Sequence, residues 1–246
     1  ATISTTAIGD LDDLTGTGNA YTITVGTADV TATALKAVDA ATTVSVTVTD
    51  VTNITGSRTD LADVYGGGFT DLGNETITVS DNITSAQANT IDGYTTGAVT
   101  ATISTTAIAD LDDLTGTGNA YTITVATADV TAAALKAVND ATTVTVTATA
   151  VTAITGSASD LDSIYTSGVS GLGNETVTVS NADVTAAHLN TINAGTSVNV
   201  VATAVTNITG SKTELATTYG GGMTGLGNET ITVSDANITS GEANII

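Results

Sequence analysis

Residues 1–46 recur almost unchanged as residues 101–146, and that duplication constrains the fold more than any single residue. ATISTTAI-x-DLDDLTGTGNAYTITV stands at Ala1–Val25 and again at Ala101–Val125. A finer echo lies inside it, since LGNE-T-[IV]-TVS occurs at Leu72–Ser80, Leu172–Ser180 and Leu226–Ser234. A chain copied from one module buries its apolar face only by stacking neighbouring copies, so it builds an array. The reading is one elongated repeat domain over 1–246, made of copies 1–100 and 101–200 and a partial copy 201–246.

Within each copy, short runs alternate Val or Ile with Thr or Ser, the pattern of a strand with one buried face. They include ATIST (1–5), YTITV (21–25), TVSVTVT (43–49), ETITVS (75–80), AVTATIST (98–105) and SVNVVAT (197–203). Equivalent points recur 20 to 31 residues apart, inside the range of solenoid repeats. Between the runs the period changes. DVTATALKAVDAAT (29–42), NITSAQANTIDG (82–93) and DVTAAHLNTINAG (183–195) each offer a Thr or Ser N-cap. Leu35 with Val38, and Leu189 with Ile192, then share a helical face, as do Leu61 and Val64.

Crossovers longer than a hairpin favour parallel pairing. The predicted fold is therefore a right-handed parallel β-solenoid of about ten coils with short helical or loop returns, a rod of roughly 45 Å. If Ile23, Val25, Val44, Val46, Ile77 and Val79 point inward, Thr22, Thr24, Ser45, Thr47, Thr76 and Thr78 point out. Extended to the later copies, this ladder takes in Thr122, Thr124, Thr145, Thr147, Thr176, Thr178, Thr230 and Thr232. It is a nearly uncharged hydroxyl face. Asp29, Asp39, Asp60, Asp63 and Asp71 are assigned to turns and returns instead.

The charge balance excludes some partners. Against 25 acidic residues stand 4 basic ones, a net −21, which disfavours nucleic acid and anionic membranes. So little lysine fits a secreted protein better than a cytosolic one. There is no Cys, hence no disulfide or thiolate chemistry. The chain starts at Ala, shows no signal-peptide regions and reads as processed or excised. No stretch reads as a transmembrane helix.

Few residues suggest a site. GDLDDL (9–14) and its copy ADLDDL (109–114) put Asp10, Asp12, Asp13, Asp110, Asp112 and Asp113 in turns that could hold Ca²⁺, without any EF-hand pattern. No other cofactor is expected. His188 is the only histidine, and its counterparts are Ala34, Ala134 and Gln87. Nothing resembles a nucleophile with its base, so no enzyme activity is expected. Tyr65, Tyr165 and Tyr219 occupy one place in the module and are expected to close the ends of return helices. N-x-T triplets at Asn53, Asn74, Asn82, Asn174, Asn207, Asn228 and Asn237 match the glycosylation sequon and recur because the module recurs.

The phrases V-T-x-I-T-G-S-x-x-[DE]-L (Val51–Leu61, Val151–Leu161, Val205–Leu215) and L-G-N-E-T-[IV]-T-V-S resemble repeats of very large bacterial, cyanobacterial-type, cell-surface adhesin-like proteins. Similar tracts accompany secreted RTX-type proteins, but the RTX calcium motif is missing here. The resemblance implies an extracellular, cell-surface module that is structural or adhesive. Neither end of the sequence carries a polar capping repeat, so the module is expected to belong to a longer array or to pair with itself end to end. Two other expectations stand beside it. One is a surface binder, of ice or crystalline polysaccharide, using the threonine face. The other is a phage or virus fibre segment.

Overall fold

The structure, a computed structural model, describes residues 1–243. The chain divides into two compact units, one of Ala1–Thr105, Asp113–Ile123 and Ala141–Val144, the other of Thr106–Asp112, Thr124–Asp140 and Thr145 onward. In the first unit α1 is Ile8–Leu11, β1 Asp29–Thr31, α2 Ala32–Ala40, β2 Val46–Thr47, β3 Asn53–Gly56 and α3 Arg58–Tyr65. They are followed by β4 Phe69–Thr70, β5 Thr76–Val79, α4 Ser85–Asp92, β6 Val99–Thr102 and β7 Ala120–Thr122. A five-stranded sheet runs β1-β3-β5-β6-β7, and β2 pairs with β4; every pairing is parallel. In-register Val30, Ile54, Ile77 and Val99 form one buried row. Each such side chain, fully withdrawn from water, contributes about 1.5–3 kcal/mol.

The second unit repeats the scheme. It contains α5 Ile108–Leu111, β8 Asp129–Thr131, α6 Ala132–Asp140, β9 Val146–Thr147, β10 Ala153–Gly156 and α7 Ala158–Thr166. The remaining elements are β11 Val169–Ser170, β12 Thr176–Val179, β13 Asp183–Thr185, α8 Ala186–Gly195, β14 Asn207–Gly210, α9 Lys212–Gly220, β15 Thr230–Val233 and α10 Ser240–Ala243. Its sheets are β12-β10-β8, β13-β14-β15 and β11-β9, again all parallel. The helical i, i+3 pairs Leu35/Val38, Leu61/Val64 and Leu189/Ile192 are at most 1% exposed, so each helix is held by its apolar stripe against the sheet.

This is a mixed α/β protein, not the predicted right-handed parallel β-solenoid. Ten helices and separate parallel sheets of two to five strands stand, among the described residues, where one continuous column of about ten coils was expected. Several runs that read as strands contract. ATIST and YTITV of the first copy keep single bridges at Thr2, Thr22 and Thr24, and TVSVTVT keeps only Val46–Thr47. The cause is side-chain competition for the backbone. The Thr42 hydroxyl accepts the N–H groups of Tyr21 (3.0 Å) and Val44 (3.1 Å) and donates to the Tyr21 carbonyl (2.7 Å). That diversion takes the place of a ladder, and it turns Val44, expected inward, outward to 39% exposure. Thr142 repeats the device on Tyr121 and Val144, leaving Val144 at 38%.

Neighbouring repeats meet through two kinds of contact. At one kind the first helical N–H, which no intrahelical carbonyl can satisfy, donates to a side chain from the following repeat. Arg58 N–H reaches Asp81 (2.8 Å), Ala158 N–H reaches Asn181 (2.8 Å) and Lys212 N–H reaches Asp235 (2.6 Å). Thr27, Thr105 and Thr127 serve Ile8, Ser85 and Ile108 in the same way. At the other kind a glycine makes room. A Cβ on Gly56, Gly156 or Gly210 would lie 2.5, 2.4 or 2.7 Å from the methyl of Ala32, Ala132 or Ala186.

Gly156→Ala is therefore expected to cost about 1–3 kcal/mol through overpacking. Gly9→Ala, with nothing within 4 Å of the new methyl and alanine already at the matching position 109, is expected to be neutral or slightly stabilising. Urea denaturation of the two variants checks the contrast.

Candidate functional site

The motif L-G-N-E places a carboxylate at a repeated internal node. Gly73 at φ 124°, a conformation open to glycine, turns its own N–H and that of Asn74 onto Glu75. The Gly73 N–H lies 2.9 Å and the Asn74 N–H 3.1 Å from Oε2. The Tyr65 hydroxyl, from the end of α3, donates to Oε1 of the same carboxylate. Glu75 is 1% exposed. The second unit rebuilds the node with Gly173 (φ 137°), Asn174 and Glu175, also 1% exposed, and with the Tyr165 hydroxyl as donor. A third version joins Gly227, Glu229 and Tyr219, whose hydroxyl lies 2.9 Å from Oε2.

The first two nodes are each bracketed by a threonine. Thr95 Oγ1 donates to the Glu75 carbonyl (2.5 Å) and accepts from Gly97 N–H (2.9 Å). Thr196 does the same for Glu175 and Val198 at 2.8 and 3.2 Å. Tyr94 stacks on Tyr65, ring centres 4.7 Å apart and planes 11° from parallel. In the second unit Gly195 sits so close to the Tyr165 ring that a Cβ would lie 2.4 Å from it. The tyrosines, read from sequence as helix-end closures, thus also anchor buried glutamates. Glu75 and Glu175 were missed because the period-2 pattern assigned ETITVS to a strand without asking where its glutamate went. The invariant Gly-Asn before each Glu was the available signal.

Electrostatics make these nodes struts. Burial first, then the bond to its glutamate, pushes the phenols of Tyr65 and Tyr165 far above their ordinary value, and Tyr219 to about 12. Burial raises Glu229, but the Gly227 N–H and the Tyr219 hydroxyl outweigh it and leave the carboxyl below its usual range. Glu75 and Glu175 are thus walled off from solvent and tied both to their own loops and to a tyrosine of the preceding helix.

The predicted threonine ladder is divided among sheets. Thr78 lies in register between Thr55 and Thr100, extending to Thr31. Thr76 faces Asn53, which faces Asp29, so that row is not uniformly threonine and Asp29 lies in a strand rather than a return. Thr178 follows Thr131 and Thr155 and meets Val201; Thr176 faces Ala153. Thr232 follows Thr185 and Thr209, and Thr230 faces Asn207. Thr22 bridges Thr2, Thr122 faces Thr102, Thr47 lies between Thr24 and Thr70, and Thr147 lies between Thr124 and Ser170. Thr145 is exposed and outside any strand.

The aspartate turns do not converge. Asp10 and Asp110 sit in the first turns of α1 and α5, Asp12 and Asp112 at their C-caps, and Asp13 and Asp113 beyond, exposed. Among the described residues no group of three or more His, Cys, Asp or Glu side chains could hold a metal ion. His188 lies half-buried in an open groove with Ser159, Asn181, Asp183, Thr185 and Thr209. There Asn181 is engaged by Ala158 and Asp183, and Asp183 by Asn207. All three lysines form ion pairs, Lys36 with Asp60 and Asp63, Lys136 with Asp140, and Lys212 with Glu242. Among the described residues no helix is long and apolar enough to cross a membrane. No family model, no curated protein and no solved structure matches the chain.

One buried side-chain polar atom among the described residues has no partner, the hydroxyl of Tyr121. Tyr121→Phe is therefore expected to leave stability unchanged or raise it, whereas Tyr165→Phe strips a donor from a buried carboxylate and should cost about 1–3 kcal/mol. Folding holds Tyr65, Tyr165 and Tyr219 above the ordinary phenol value of 10.0. Their contribution is thus whole below pH 10 and is lost as the pH climbs through the folded values, about 12 for Tyr219. Absorbance titration near 295 nm should show these phenols ionising late, and Tyr165→Phe should shrink the late phase.

Proposed function

We propose that this chain is a structural or adhesive repeat module working outside the cell, at a cell surface. The observation that carries the reading is repetition of the same internal hardware. The strand register, the Tyr–Glu strut and the inter-repeat helix cap recur in both units, and the register and cap hold neighbouring repeats together. Investment in a repeated frame, with no group of potential metal ligands among the described residues, suits a spacer or display surface better than a reaction centre. An acidic, lysine-poor composition and the resemblance of its repeats to those of large bacterial surface proteins support the extracellular placement. No catalytic role is proposed.

The test is immunogold labelling and protease shaving of intact cells of the source organism. Label on unbroken cells, removed by external protease, is the expected result; label only after lysis would overturn the reading.

A second reading, binding of ice or a crystalline polymer, draws on the in-register row Thr31–Thr55–Thr78–Thr100. It predicts thermal hysteresis or crystal adsorption that Thr78→Tyr abolishes, and unchanged freezing behaviour would remove it.

A further inference from the structure

The chain holds no Cys, no Trp, one Met and six Tyr. Phenols are therefore the side chains that give up a single electron most readily, since methionine is oxidised by taking up oxygen. A phenol loses an electron easily only where its proton has somewhere to go. Tyr65 has such a place. Its hydroxyl donates to Oε1 of Glu75, a side chain 1% exposed and fixed by the N–H groups of Gly73 and Asn74. Burial disfavours the Tyr65 phenolate, so the proton leaves together with the electron, along that hydrogen bond.

Tyr65 also has a partner of its own kind. The Tyr94 ring stacks on it, ring centres 4.7 Å apart and planes 11° from parallel. Both residues are part-exposed, within reach of an oxidant from solvent. Tyr65 precedes Gly66, Gly67 and Gly68, and Tyr94 follows Gly93, so the backbone beside each ring has freedom to let it turn. The second unit has half of this arrangement. Tyr165 donates to Glu175, and Thr196 brackets Glu175 as Thr95 brackets Glu75. One residue before that threonine, however, Gly195 stands in the place of Tyr94, packed against the Tyr165 ring. The strut occurs without a second phenol there.

We propose that Tyr65 and Tyr94 are an oxidative cross-linking site, joined into a dityrosine by a peroxide acting through a peroxidase. Each phenol loses one electron and its hydroxyl proton, that of Tyr65 to Glu75 Oε1 and that of Tyr94 to water. The two radicals form one C–C bond between ring carbons ortho to their oxygens. The two ortho C–H bonds break, and their protons move to the oxygens and restore both phenols. The peroxide takes up the two electrons and two protons and leaves as two waters. Stacking supplies the proximity that favours this pair over an encounter between molecules. The product ties the end of α3 to the segment after α4 through carbon, in a chain that has no disulfide. The site is a property of the stack and the strut, independent of where the module works.

The test treats the whole 246-residue protein with hydrogen peroxide and a haem peroxidase, then reads dityrosine fluorescence and the masses of fragments cut at aspartates. Cleavage at Asp71, Asp81 and Asp92 separates the two rings. Wild type is expected to fluoresce, to run as a monomer on a denaturing gel, and to yield the Tyr65 and Tyr94 fragments as one species two hydrogens lighter than their sum. Tyr94→Phe keeps the stacked ring without its phenol and should lose that species entirely. Tyr21→Phe removes a part-exposed phenol outside the stack and should keep it, and the fragment carrying Tyr165 should stay unjoined. Absence of dityrosine in wild type would overturn the site. So would coupling of Tyr65 only between molecules, or a Tyr94→Phe protein in which Tyr65 is cross-linked to the same extent.

Discussion

Everything in this protein depends on one repeat satisfying the backbone of its neighbour in parallel register. The offset between paired strands is 24 residues from Asp29 to Asn53 and 23 from Asn53 to Thr76, and the same pair of offsets returns from Asp129 to Thr176 and from Asp183 to Thr230. Strands of two to four residues carry too few hydrogen bonds to persist alone, and helices of two turns do not form alone in water. Register brings the apolar row together on the inside and, through the same shift, sets a side chain of one repeat over the first helical N–H of another. Asp81 on Arg58 and Asn181 on Ala158 are that coincidence realised in both units. Loss of register would therefore strip the core and the caps together.

The second constraint is the core's thinness. With one Phe and no Trp, the interior relies on Val, Ile, Leu and Ala, which leave little slack and few large contacts. Two features suit this. Glycine at 56, 156 and 210 lets helix and strand approach to methyl contact, and a buried glutamate stiffens the loop before a strand. A carboxyl group is costly to bury unless its hydrogen bonds are met. Two backbone amides and a phenol meet them at Glu75 and Glu175. The strut thus converts a flexible Gly-Asn loop into a fixed lead-in for the strand that follows, and its phenol ties the loop back to the preceding helix. Tyr121 shows the contrast, a buried phenol whose hydroxyl found no such partner.

Function, on this view, lies in the surfaces the frame leaves over. The threonine rows are ordered because the strands beneath them are, but they belong to different sheets and are broken by Val201, Ala153 and Asn53.

The sequence by itself determined the local choices. Alternation of Val or Ile with Thr marked β5 and β6, while β1 and β3 lie in stretches read as helical returns; Thr and Ser before helical periods marked the N-caps at Thr31, Ser57 and Thr84, and the duplication announced that whatever formed would form twice. Those features are short-range, set by side-chain direction and by which hydroxyl can reach which amide three residues away. Tertiary structure decided the rest. TVSVTVT has a strand's pattern, yet the Thr42 hydroxyl takes backbone groups of Tyr21 that lie 21 residues distant, and no local pattern records that reach. The aspartates of 9–14 look like ligands in a line but lie on and just beyond a four-residue helix and form no metal-ligand group, while Glu75 looks like a strand residue and becomes a buried node with Tyr65. Periodicity specifies which way a side chain leaves its own backbone; only the packing of distant repeats specifies what it meets there.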